Sequence, residues 1–174
     1  AILRSLGDLE AVLGNSEEQI NRFESAIELE TKSNYIRFTT QLFLAKAYFE
    51  DGQSDKVDSL IIELNKHNLN RVQPPARIDF YLLRAKADLK GKNFNEALFR
   101  SEEAVKLAKR SPPTPLLVDA YGLQAEALSS LGDYEEAYNI TKTINETNNF
   151  VKERARISEE AMGKVRFQMT AKNR

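Results

Sequence analysis

Apolar residues recur every three or four positions along almost the whole chain, the spacing that puts one face of an α-helix against a core. Ile2, Leu3, Leu6, Leu9 and Leu13 form the first such stripe. It starts abruptly on apolar residues with no capping signal, which points to further chain upstream. Ile20, Phe23 and Ile27 form a second stripe behind Ser16-Glu17-Glu18-Gln19. That is a capping-box pattern, in which serine accepts a backbone N–H and glutamine reaches back to the cap. A third helix is expected over 34–50, with Phe38, Leu42, Ala45 and Phe49 inward. Ser54 or Asp55 should cap a fourth carrying Val57, Leu60, Ile61 and Leu64. Pro74-Pro75 and Ser111-Pro112-Pro113-Thr114-Pro115 mark two connectors, because proline stops one helix and opens the next. Helices are therefore expected over 76–90 and 95–109, a seventh reaching about residue 130, and an eighth over 134–145. Thr147-Asn148-Asn149 then interrupts the pattern before a last segment.

The chain also repeats itself. Ala125 to Ala137 reads as a helix, a tight turn at Leu131-Gly132-Asp133-Tyr134, and a new helix at once. Ala85 to Ala97 says nearly the same, with Gly91-Lys92-Asn93-Phe94 at the turn and one residue more after the glycine. Ala45 to Val57 is a weaker copy around Gly52. Ala45, Ala85 and Ala125 are forty residues apart, as are Ala47, Ala87 and Ala127, and Val57, Ala97 and Ala137. Small residues at such positions let two helices approach closely. A fixed period in the 20–50 range marks a solenoid, whose helix pairs bury their apolar faces by stacking.

Leu131-Gly132-Asp133-Tyr134-Glu135-Glu136-Ala137 resembles the turn between the two helices of a tetratricopeptide repeat (TPR). Gly91 to Ala97 is a second copy, Gly52 to Val57 a third, and Leu13 to Ile20 a degenerate fourth with Gln19 where alanine is usual. The spacing exceeds the family's ~34 residues, and the additional length falls in the proline-marked connectors. The resemblance implies an all-α fold: an α-solenoid of about four TPR-like helix-turn-helix repeats over residues 1–147, in a right-handed superhelix. A capping or coupling helix would follow over residues 148–174. It implies a concave groove that binds peptides or proteins.

Length and charge narrow the function. At 174 residues there is chain enough for one continuous core. A net charge of −1 speaks against a dedicated nucleic-acid binder. No run of ~18 apolar residues exists to insert in a membrane, and the start carries no signal-peptide pattern. The first residues are Ala-Ile-Leu rather than methionine, as expected of a processed product or an excised piece. With no cysteine, disulfides and thiolate metal sites are excluded, and cytoplasm and periplasm are equally compatible.

Catalytic chemistry finds no foothold. The sole histidine, His67, has no second histidine or cysteine to share a metal with, and at a helix C-terminus its imidazole should be partly cationic. No glycine-rich phosphate loop occurs. Acidic pairs such as Glu17-Glu18, Glu102-Glu103, Glu135-Glu136 and Glu159-Glu160 read as solvated faces or helix starts. Phe23, Phe38, Phe94 and Tyr134 recur at periodic positions and read as core. The expectation is a non-enzymatic chain with no cofactor and no metal.

What remains is surface. In TPR-like arrays the first helix of each pair lines the groove. By register that selects Thr39, Phe43, Lys46 and Glu50, then Asp79, Leu83, Lys86 and Lys90, then Asp119, Leu123 and Glu126. The family's carboxylate clamp pairs lysines with asparagines, and no asparagine stands at the matching sites here. Lysines in a concave groove would still attract an extended peptide with acidic character. From Lys152 onward, seven basic residues face three acidic ones. This segment is expected either to cap the array or to pair with another chain, forming a homodimer through Val165, Phe167 and Met169. It is similar to the polar helix that follows TPR arrays in bacterial sensor proteins. The expected function is a protein- or peptide-binding scaffold, the sensory or interaction region of a larger bacterial signalling protein. The alternative is a TPR-containing regulator of the phosphatase or peptide-responsive transcription type.

Overall fold

The computed structural model describes residues 16–29 and 33–172, and the side chains of 165 and 167–172 are not among those described. The first apolar stripe and residues 13–15 of the degenerate fourth turn therefore lie outside the described residues, as do the side chains of Val165, Phe167 and Met169. Among the described residues seven α-helices follow one another: α1 (Ser16–Leu29), α2 (Asn34–Glu50), α3 (Ser54–Asn65), α4 (Pro74–Lys90), α5 (Phe94–Ala108), α6 (Pro115–Leu131) and α7 (Tyr134–Lys172). A single 3₁₀ turn, Leu69–Arg71, interrupts the α3–α4 connector. No strand occurs among the described residues.

Local chemistry sets the boundaries. The Ser33 hydroxyl accepts the Ile36 N–H at 3.3 Å and starts α2. Helix α4 begins at Pro74, two residues before the expected start, because proline's fixed φ and missing N–H suit the first turn. Pro115 opens α6 in the same way. Helix α3 includes Ser54 and follows Gln53, which makes no side-chain cap bond, so neither Ser54 nor Asp55 is the cap. Instead the Gln53 carbonyl accepts the N–H groups of Lys56 and Val57.

Three turns share one hydrogen-bond pattern. Gln53 N–H donates to Tyr48 O, Asn93 N–H to Asp88 O and Asp133 N–H to Leu128 O, at 2.9, 2.8 and 3.0 Å. These six-to-one bonds close each helix around a left-handed residue. That residue is Gly52 at φ 80°, Lys92 at φ 60° and Gly132 at φ 88°. The second turn therefore has no inserted residue. Gly91, at φ −78°, is the ordinary cap, and a lysine holds the left-handed position. In the structure the period is forty residues at every one of these positions.

Consecutive helices pack against each other except α3 and α4, which make little contact; α2 packs on α4, and α4 on α6. Three apolar clusters run along the chain. Phe23, Leu44 and Val57 join α1 to the α2–α3 pair. Phe38, Leu64, Val72 and Phe80 carry that pair onto α4. Ile78, Ala104, Ala120 and Tyr121 join α4, α5 and α6. Helix α4 belongs to both of the last two clusters, burying Phe80 on one side and Leu82 on the other.

The expected break at residues 147–149 is absent: α7 is one helix of 39 residues. Thr147 is buried, and its hydroxyl donates to the Thr143 carbonyl at 2.7 Å. Neither proline nor glycine occurs there, and three residues of modest helix propensity cost too little to end a helix anchored on α6. Beyond Val151 every described side chain of α7 is exposed.

Candidate functional site

The α2–α4 and α4–α6 contacts set three first helices side by side, and a cleft of about 200 Å3 opens between them. Its walls are Lys46, Phe49 and Glu50 from α2, Asp79, Leu82, Leu83 and Lys86 from α4, and Leu116 and Asp119 from α6. Leu82 and Leu83 are otherwise core residues, so the floor is a rigid part of the packing rather than a loop. Six of the residues selected by register meet here: Lys46, Glu50, Asp79, Leu83, Lys86 and Asp119.

Five do not. Thr39 is buried, and its hydroxyl lies within hydrogen-bond reach of the Tyr35 and Ile36 carbonyls at 3.1 and 3.0 Å. Leu123 is core within the α4–α6 cluster. Phe43 stacks on Phe23, with centroids 5.9 Å apart. Glu126 is exposed outside the cleft walls. Lys90 instead reaches over the Phe49 ring at 5.4 Å and lines a second cleft. Conversely, Phe49, Leu82 and Leu116 belong to the site and escaped the register. A purely periodic assignment takes apolar residues near the core as core, although each of these spans core and cleft.

Electrostatics alter the picture of a lysine-lined groove. Lys46 Nζ lies 3.5 Å from Asp79 Oδ1, so one of the two cleft lysines already has a carboxylate partner. Glu50 and Asp119 supply two further carboxylates against Lys86. The cleft therefore presents both signs of charge over an apolar floor.

The second cleft, about 270 Å3, lies where α3 and α4 fail to close. Its walls are Phe49, Ser54, Val57 and Asp58 on one side and Ala87, Lys90 and Gly91 on the other. Nearby, burial pushes the Asp88 carboxyl above its ordinary range and, with Arg100, pulls Arg84 down. Arg84 donates to Asn65 Oδ1 at 3.1 Å, and Arg100 pairs with Glu96 at 3.3 Å. This polar set ties α3, α4 and α5 together, and Asp88 Oδ2 is buried there without a hydrogen-bond partner.

His67 differs from its expected state. Its ring is partly buried, edge-on to Phe38 at 5.4 Å, with Nε2 3.2 Å from Gln41 Oε1. Burial, then the Arg37 charge, lowers its pKa from the ordinary histidine value, which favours the neutral imidazole where a helix C-terminus alone would favour the cation. Tyr134, expected in the core, is also placed otherwise: it is 71% exposed.

Among the described residues no group of three or more His, Cys, Asp or Glu side chains could hold a metal ion. No described helix is long and apolar enough to cross a membrane. No protein-family model matches the sequence, and no curated protein matches it.

Proposed function

We propose that this chain is a non-catalytic binding scaffold of the TPR-like kind, its helix pairs stacked in a right-handed superhelix. The ligand is an extended protein or peptide segment lying across α2, α4 and α6. One observation carries this reading. Lys46 and Lys86, and Asp79 and Asp119, are forty residues apart in sequence, and all four line one cleft. Equivalent side chains at equal steps suit an extended ligand, whose own side chains also recur at equal steps. The paired Lys46 and the flanking Glu50 and Asp119 turn the preference away from a purely acidic peptide. The ligand carries an apolar side chain for the Leu82–Leu83–Leu116 floor, flanked by charges of both signs. In this reading the module is the sensory or interaction part of a larger bacterial signalling protein, as the sequence resemblance implies.

The test is selection of random peptides displayed on phage against the folded chain, followed by fluorescence anisotropy of the enriched peptides. Lys86→Glu with Asp119→Lys should weaken binding by at least ~10-fold, about 1.4 kcal/mol. Glu102→Lys, on the exposed face of α5, should leave it unchanged. Peptides bound equally by all three proteins would place the ligand elsewhere.

A further inference from the structure

Repeat register shows what the second cleft lacks. Ser54, Val57 and Asp58 of α3 face Ala87, Lys90 and Gly91 across it. Forty residues on, α5 carries Phe94, Ala97 and Leu98 at the matching positions, with Phe94 and Leu98 partly buried. There α5 packs closely on α6, whereas α3 makes little contact with α4. A ring and a branched aliphatic chain are thus replaced by a hydroxyl and a carboxylate. A space of about 270 Å3 stands open as a result. It exceeds the ~150 Å3 that suffices to hold a benzene ring.

The walls select an occupant by charge as well as by size. Val57, Ala87 and the Phe49 ring supply apolar surface. Lys90 Nζ stands 5.4 Å from the Phe49 centroid, and among the described residues no ion pair holds it. A cation so placed favours the negative face of an entering ring over an aliphatic chain. On the opposite wall the exposed Asp58 carboxylate has no hydrogen bond or ion pair among the described residues. It is an acceptor for a ring that carries a donor. Phe49 also lines the first cleft, and Lys86 and Lys90 stand one turn apart on α4, one in each cleft. That step is about 5.4 Å, so a segment lying in the first cleft can place one side chain in the second.

We propose that the second cleft is a specificity subsite for a tyrosine side chain of the bound segment, an inference that rests on the groove reading above. The tyrosine ring takes the space that Phe94 and Leu98 fill one repeat later. Lys90 lies against its face, and its hydroxyl donates to Asp58.

The probe is N-acetyltyrosinamide, titrated to about 20 mM into the full chain while amide chemical shifts are followed. The expected result is shifts at Val57, Ala87 and Gly91, with weaker binding of N-acetylphenylalaninamide and none of N-acetylleucinamide. Ser54→Phe supplies from within the ring that the next repeat has. It should weaken binding of the probe at least ~10-fold while the urea midpoint holds or rises, so that lost binding is not lost folding. Asp58→Ala, at an exposed position, is the second variant and should abolish the preference for tyrosine over phenylalanine. A silent cleft, equal binding of the three probes, or shifts that persist in Ser54→Phe overturn the proposal. The groove reading fails separately. Displayed peptides weakened by Lys86→Glu with Asp119→Lys, but not by Ser54→Phe, uphold the groove and overturn the subsite. If no displayed peptide is enriched, the groove reading falls, and N-acetyltyrosinamide still decides whether the cleft takes a tyrosine.

Discussion

Lys92 holds, at φ 60°, the turn position that Gly132 holds at φ 88° forty residues later. A side chain in the left-handed region costs about 1–2 kcal/mol that glycine does not incur. Lys92→Gly relieves that strain, partly offset by glycine's greater freedom in the unfolded chain, and should stabilise by about 0.5–1 kcal/mol. Gly91→Ala should also stabilise, by about 0.4–1 kcal/mol, because φ −78° suits alanine. Its new Cβ would meet chiefly the Asn93 side-chain amide, at 3.2 Å. Urea unfolding reads both. A loss of stability in Gly91→Ala would mean that Gly91, not Lys92, needs the left-handed conformation.

Ala97 is fully buried and Ala137 is 6% exposed, at matched positions on the second helices of successive pairs. Ala97→Leu forces three extra carbons into a fully buried position of α5 and should cost about 1–3 kcal/mol. Ala137→Leu sits on α7, which packs on α6, at a less completely buried position, and should cost less. Thermal melts of the two variants give the comparison, and an unchanged melting temperature for Ala97→Leu would contradict the shared register.

The lowered pKa of His67 makes stability pH-dependent. Its folded pKa is depressed below 6.5, so the unfolded chain binds the proton more readily. The stability present above pH 6.5 is therefore lost as pH falls through that value and below. His67→Gln, which keeps a polar group toward Gln41, should flatten the dependence. The urea midpoints of wild type and variant should diverge between about pH 7.5 and about pH 5, the range in which histidine charges. Parallel curves would mean that the ring titrates normally.

Much of the fold is legible because the helix signals are local. The 34–50 helix is found from Asn34 to Glu50, and the left-handed Gly132 follows from Leu131-Gly132-Asp133. Lys92 was not legible: glycine next to it drew the turn assignment, although the forty-residue step points to Lys92. The missing break at Thr147 has a different cause. Polar Thr147-Asn148-Asn149 interrupts the apolar pattern, but the Thr143 carbonyl bond and anchoring on α6 hold the helix together. In the cleft, register located the charged residues, since exposed positions on first helices repeat. It could not foresee the Lys46–Asp79 pair, which depends on how closely α2 and α4 approach. Nor could it separate Leu83, at the cleft floor, from Leu123, one repeat on and inside the core.

The most direct test of the binding role is an amide chemical-shift footprint of the 19.8 kDa chain, recorded with an enriched peptide. The account predicts shifts concentrated at Lys46–Glu50, Asp79–Lys86 and Leu116–Asp119, with α5 and the second half of α7 unmoved. Shifts confined to α3, α5 or α7, with the cleft silent, would contradict it.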